Sequence, residues 1–77
     1  MMKITGTRSY MDVEMDDGKM VRIQGELLMN GFLAYSDTII EWELPKGEPI
    51  NEESKRNIIQ KVLEVSKKPR HLKIEFE

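Results

Sequence analysis

The chain has 77 residues, of which 39% are apolar and 34% are charged, and its formal net charge at pH 7 is −2. A chain of this length is near the lower limit for independent folding, so we treat residues 1–77 as a single domain. The composition is that of a folded, soluble protein and excludes a disordered chain. Cysteine is absent, which excludes disulfides, thiolate metal sites and cysteine nucleophiles.

The amino-terminal residues lack the apolar stretch of a secretory signal, and no run approaches the roughly 20 apolar residues of a membrane helix. We therefore expect a cytoplasmic protein that does not enter a membrane. A domain of this size buries only roughly 60% of the surface of its unfolded chain, which leaves a thin margin of stability. Self-association into a homodimer is consistent with that margin.

Residues 10–15 alternate between polar and apolar side chains, which predicts a half-buried strand with Met11, Val13 and Met15 on one face. The Asp17-Gly18 pair that follows predicts a tight hairpin turn, because glycine readily adopts the positive φ that such a turn requires. The partner strand is predicted over residues 20–24. Residues 26–30 either extend this strand or form a turn, and the sequence does not decide between the two.

Two further strands are predicted, over residues 32–35 and 38–44. In the second of them Ile40, Trp42 and Leu44 share one face, which favours a core position for Trp42 over an exposed one. Pro45 ends this strand because proline cannot donate a ladder hydrogen bond.

A single helix is predicted to begin after Asn51, a good N-cap residue followed by two glutamates at the positive end of the helix dipole. Its buried stripe consists of Ile58, Ile59, Val62 and Leu63. Pro69 follows the end of the helix because proline cannot continue it. Residues 72–76 then alternate again and predict a closing strand beneath the helix.

These elements predict a two-layer α+β fold: a mainly antiparallel sheet of about five strands with one amphipathic helix packed on one face. The second face of the sheet is then partly open. Tyr10, Leu33, Tyr35 and Ile39 alternate away from the predicted core, so this face is a candidate binding surface.

No pattern in the chain predicts a catalytic or metal centre. The acidic residues before Gly18 do not form a calcium loop, because the sixth position counted from Asp12 is not glycine. His71 is the single histidine, and no serine lies in a nucleophile-elbow sequence. Glu41 and Glu43 share a strand face, but a domain this small offers little depth to desolvate a catalytic carboxyl group. We expect no enzymatic activity, no cofactor and no metal.

The charges are segregated along the chain. The charged residues of 37–53 are all acidic apart from Lys46, whereas residues 55–73 are rich in lysine and arginine and contain Glu64 as their one acidic residue. The helix dipole accounts for part of this pattern, since acidic residues favour its start and basic residues its end. Nucleic-acid binding is not favoured, because most aromatic residues lie outside the basic segment and the net charge is negative.

A series of short motifs runs in a fixed order through the chain. They are Tyr10, Asp17-Gly18-Lys19, Val21-Arg22-Ile23, Gly25-Glu26, Phe32, Ala34-Tyr35, Trp42, Pro45, Ile58-Ile59 and Lys73-Ile74-Glu75-Phe76. Their order and spacing resemble the immunity protein 74 family, small immunity proteins of bacterial polymorphic toxin systems. Arg8-Ser9 departs from the glycine expected before the tyrosine. The resemblance implies a non-catalytic protein that binds a toxin domain encoded alongside it and neutralises it by occlusion.

Under this interpretation the acidic run beside Trp42 is the candidate toxin contact, because an acidic surface suits a toxin with a basic substrate channel, such as a nuclease. The candidate partner-binding residues are Asp37, Glu41, Trp42, Glu43, Glu48, Tyr10 and Tyr35. Two other classes stay open: a homodimeric interaction module that uses an open sheet face or an edge strand, and a nucleic-acid-binding domain.

Overall fold

A computed structural model describes residues 2–69 and 71–77. Met1 and Arg70, the latter one of the basic residues of the 55–73 segment, lie outside the described residues. The elements in chain order are β1 (Lys3–Gly6), β2 (Tyr10–Glu14), β3 (Met20–Leu28), β4 (Gly31–Ala34), a 3₁₀ turn (Ser36–Thr38), α1 (Glu52–Ser66) and β5 (Lys73–Phe76).

The five strands form one curled sheet in the order β1-β2-β3-β4-β5. The first four pair antiparallel with their neighbours, and β5 returns after the helix to pair parallel with β4. Paired residues such as Val13 with Val21 and Phe32 with Ile74 project from the same side, which we call the inner face. The helix packs on this face and contacts β5. The predicted α+β fold with a mainly antiparallel sheet is confirmed.

The core lies between the inner face and the helix. Met11, Val13 and Met15 are buried as predicted, and so are the helix residues Ile58 and Val62. The other two members of the predicted helix stripe, Ile59 and Leu63, are half-buried at its margin. The hydrophobic core of described residues contains aliphatic and aromatic side chains from β2, β3, β4, β5 and the helix, and Ile4 of β1 packs against it.

The hairpin between β2 and β3 forms at the predicted place, with Gly18 at a φ of 90°. The segment that the sequence left undecided is resolved by strand pairing. Residues 26–28 extend β3 and pair with β4, and Met29 and Asn30 form the turn. This makes β3 the longest strand of the sheet and carries the β3–β4 turn beyond the core.

The predicted strand over residues 38–44 is wrong. Thr38 ends a 3₁₀ turn instead, because its hydroxyl donates to the Tyr35 carbonyl at 2.7 Å and accepts from the Gln24 backbone N–H at 3.0 Å. Ile39 and Trp42, three residues apart, are buried, whereas Ile40 and Leu44 are 65% and 57% exposed. Ile39 therefore belongs to the core and not to the open face.

The strand count nevertheless stays at five because β1 was not predicted. Its four residues include one large apolar side chain, Ile4, too few for an alternating pattern. Ile4 pairs with Val13, and Gly6 pairs with Met11. The strand is thus held by long-range pairing with β2. Leu72, predicted to begin the closing strand, lies just before β5 and is half-exposed.

Replacing Asn51 with alanine is expected to lower the free energy of unfolding by about 1 kcal/mol. The Asn51 side chain accepts a hydrogen bond from the Ser54 backbone N–H at 2.8 Å, which satisfies one of the free donors at the start of α1. Urea denaturation followed by circular dichroism measures the change. Asn57→Ala, the same substitution inside the helix, is the control and should cost nothing; equal losses in both variants would contradict the capping role.

Candidate functional site

The acidic residues lie on a loop, residues 36–50, that is paired mainly with itself. The Trp42 N–H donates to the Glu48 carbonyl at 2.8 Å, and the Ile50 N–H donates to the Ile40 carbonyl at 2.9 Å. Gly47 turns the chain with a φ of 81°. One backbone bridge, between Met20 and Leu44, ties the loop to the start of β3. The loop is therefore ordered without belonging to the sheet.

Buried apolar side chains anchor this acidic loop and leave its carboxylates outside, with Ile50 packing half-buried against the core. Ile39 and Trp42 enter the core. Asp37, Glu41 and Glu48 are exposed and Glu43 is half-buried. Among the described residues, only Glu48 of these four is in an ion pair, with its Oε1 3.4 Å from Lys19 Nζ. Most of the negative charge of the loop is thus available to a partner.

Trp42 is 7% exposed and acts as the anchor of the acidic loop. The Lys19 ammonium lies 5.3 Å from the centroid of its ring, within the range of a cation–π contact. The same ammonium forms an ion pair with Glu48, so Lys19 contacts both the Trp42 ring and a carboxylate six residues further along the loop. The sequence favoured a core position for Trp42, and the structure agrees. Its inclusion among the partner-binding residues stays a prediction.

Tyr10 projects from the outer face of the sheet, where its ring is covered on one side. The Arg22 guanidinium carbon lies 4.1 Å from the ring centroid. Arg22 also donates two hydrogen bonds to the Asp12 carboxylate, from Nε to Oδ1 at 2.8 Å and from Nη2 to Oδ2 at 3.2 Å. This hydrogen bonding raises the pKa of Arg22 above its usual value. The outer face is therefore a largely polar surface in this region rather than an apolar one.

The predicted residues gather around β3. Tyr10 is paired with Gln24, and the Tyr35 N–H donates to the Gln24 carbonyl at 2.8 Å. The turn that carries Asp37 hydrogen-bonds to the same residue through Thr38. Glu43 and Glu48 lie toward Met20, about 13 Å along the strand at roughly 3.3 Å per residue. The backbone of the predicted residues Tyr10, Tyr35, Asp37 and Glu43 thus lies along β3 between Met20 and Gln24.

A second surface was not predicted. Apolar side chains stay exposed near the β3–β4 turn, where Leu27 and Leu28 are about half-exposed and Met29 is fully exposed. Leu27 lies beside a cavity of about 380 Å³ that is bounded by β1 on one side and by Leu72 and Ile74 on the other. In the sequence, the apolar run Leu27-Leu28-Met29 was the one sign of this surface. It does not reveal that β1 and β5 border the same cavity.

The described residues contain no group of three or more His, Asp or Glu side chains placed to hold a metal ion. Within the same part of the chain, no helix has the length and apolar character needed to cross a membrane. What the described surface offers is an acidic loop, a polar sheet face and an apolar cleft, which are features of protein recognition.

The family model that matches this chain is Immunity protein 74, and the match covers residues 3–77. The chain belongs to the Immunity protein 74 family. The match spans all five strands, the acidic loop and the helix, so the whole fold is that of the family and the predicted resemblance is confirmed. Searches of curated proteins and of solved structures returned no match.

Proposed function

We propose that this protein neutralises a toxin encoded alongside it, by binding the toxin and occluding its active site. The observation that carries the proposal is the match to an immunity protein family over residues 3–77. Such a role requires a stable surface rather than a reaction centre. The acidic loop, held by Ile39 and Trp42, supplies one.

The charge of the acidic loop supports a partner with a basic surface. Glu41 and Asp37 are exposed and have no ion-pair partner among the described residues, so a cationic toxin surface would meet unpaired carboxylates. Complementary charge raises the rate of encounter and selects against the wrong partners. A toxin whose substrate is a polyanion, such as a nuclease, has a basic channel of the required kind.

Tyr10 and Tyr35 extend the proposed contact onto the outer face. Both are half-buried, so each offers part of a ring while the backbone of β3 or β4 holds it in place. Tyrosine suits an interface because it combines a rigid apolar ring with a hydrogen-bonding hydroxyl. In this arrangement the carboxylates steer the toxin and the tyrosines pack against it.

Light scattering tests the binding part of the proposal. The purified chain is mixed with the purified protein encoded alongside it, and the mass of the mixture is compared with that of each component. A complex of fixed stoichiometry is expected. Two unchanged masses at micromolar concentration would contradict the proposal, and a stable homodimer without a heteromeric complex would favour an interaction module instead.

Glu41→Lys is expected to weaken toxin binding by roughly threefold to tenfold, mainly through slower association, because an exposed interfacial charge acts chiefly on the encounter rate. Surface plasmon resonance at two salt concentrations measures the effect, which should shrink at high salt. Glu64→Lys, with the same charge change on the exposed side of α1, is the control. Equal losses in both variants would indicate a net-charge effect and not a contact.

A further inference from the structure

The cleft at the opposite end of β3 from Met20 has an apolar interior. Met11, Phe32 and Ile74 are buried and form its floor, and Ile4, Leu27 and Leu72 form its walls. Leu27 is 45% exposed and Leu72 is 46% exposed, so water covers apolar surface on both sides of the opening. Exposed apolar surface around a concave site is characteristic of a site that binds a partner.

One border of this cleft is a free strand edge. Residues 4–7 all line the cavity, and they include both Ile4, which faces inward, and Thr5, which faces outward. Together with Arg8 they form five consecutive lining residues, so β1 borders the cavity along most of its length. Among the described residues β1 pairs with β2 alone, so the backbone groups on its other side are available to a further strand.

The ionisable side chains that line the cleft are both basic. Arg8 is exposed at its mouth, and His71 lies beside Leu72, whose carbonyl is 2.9 Å from His71 Nδ1. No carboxylate of a described residue lines the cavity. A segment that enters it therefore gains from carrying an acidic side chain as well as apolar ones.

We propose that this cleft receives an extended segment of the toxin, which pairs with the free edge of β1, inserts apolar side chains between Leu27 and Leu72, and places a carboxylate at Arg8. The inference rests on the proposed toxin-binding function and adds a second contact to it. Strand addition of this kind takes affinity from main-chain hydrogen bonds and selectivity from the pockets for alternate side chains. The carboxylates of the first contact that lie nearest Met20, Glu43 and Glu48, are about 23 Å from Leu27 along β3 at roughly 3.3 Å per residue, whereas Tyr10 and Tyr35 lie between them at Gln24.

Hydrogen exchange of the wild-type protein, alone and bound to the purified toxin, tests the strand pairing. The amides of residues 3–6 that point away from β2 are expected to exchange at least about tenfold more slowly in the complex. Unchanged exchange in β1 within a complex that forms normally would overturn the inference while leaving the proposed function intact. Failure of the wild-type protein to form a complex would remove both.

Leu72→Glu tests the apolar part of the site and is expected to weaken toxin binding by about tenfold or more, since a charge would enter an apolar contact. Leu28→Glu is the matched control: Leu28 is also 46% exposed, but it projects from the outer face and does not line the cavity, so binding should change by less than about threefold. Circular dichroism verifies that both variants are folded. Equal binding by the two variants would overturn the inference.

Arg8→Glu tests the charge and is expected to weaken binding by roughly threefold to tenfold. An unchanged affinity would show that no carboxylate meets Arg8 and would overturn that part of the inference. Light scattering of the protein alone distinguishes the other occupant: a dimer whose β1 amides are already protected without toxin would assign the cleft to a second copy and overturn the inference.

Discussion

Gly25→Ala is expected to lower the free energy of unfolding by about 3 kcal/mol or more, because the new methyl group collides with backbone. A Cβ at this position would overlap the Leu33 carbonyl oxygen and approach Phe32 Cε1 to 2.6 Å. Gly25 pairs with Ala34, so relief of the collision requires β3 and β4 to separate. A domain of this length has a total stability of only about 4–12 kcal/mol, and the variant should be largely destabilised.

Urea denaturation followed by far-ultraviolet circular dichroism measures this loss. Gly6→Ala is the control, because a Cβ there would lie 3.3 Å from the Tyr10 carbonyl oxygen and 3.4 Å from Met11 Cβ, close enough to require only small shifts. Its cost should stay at or below about 1 kcal/mol. Equal losses in the two variants would contradict the tight approach of β3 and β4 at Gly25.

Trp42→Ala is expected to cost about 3–5 kcal/mol, the range for removing a large buried aromatic side chain. Hydrogen bonds at Met20 and Gln24 hold the acidic loop to β3, and the buried side chains of Ile39 and Trp42 fix it to the core. Loss of the ring also removes the surface under Lys19. Asp37, Glu41 and Glu43 should then lose their fixed positions, and toxin binding should weaken.

The Trp42→Phe variant shows whether the losses of stability and of toxin binding both follow from removing a buried aromatic ring. Phenylalanine keeps an aromatic group in the core and should retain most of the stability and most of the toxin affinity. Chemical denaturation and calorimetric titration with the toxin measure both variants. A Trp42→Ala protein that loses less than about 1 kcal/mol of stability would show that the ring does not hold the loop.

The parts of the fold that were predicted correctly depend on local signals. The β2–β3 hairpin follows from alternation on both sides of Asp17-Gly18, and the helix follows from the Asn51 cap and the Ile58 and Val62 stripe. Each of these signals acts between residues that are close in the sequence. Tertiary contacts reinforce them here rather than oppose them.

The loop over residues 38–44 shows where local signals are insufficient. Ile40, Trp42 and Leu44 alternate as a strand would, but Thr38 hydrogen-bonds to Tyr35 and Gln24, and the resulting turn buries Ile39 instead of Ile40. The Gln24 contact joins residues 14 positions apart and cannot be read from periodicity. The acidic charge of the loop was predictable, whereas its attachment to β3 at Met20 and Gln24 required the structure.

The apolar cleft was not predictable for a similar reason. Its lining comes from β1, β2, the end of β3, β4 and the residues around Leu72, which are far apart in the chain. The sequence of β1 shows little alternation of polar and apolar residues. Its pairing with β2 is therefore what identifies it as a strand. Such a site depends on how far the sheet curls, which brings its two edge strands to one cavity.

The measurement that tests the immunity function most directly is a titration of the purified toxin's activity with this protein. The expected result is complete inhibition at a fixed molar ratio close to that of the complex, with Glu41→Lys needing a higher concentration to reach it. Toxin activity that stays unchanged at saturating concentrations of the folded wild-type protein would contradict the proposed neutralisation.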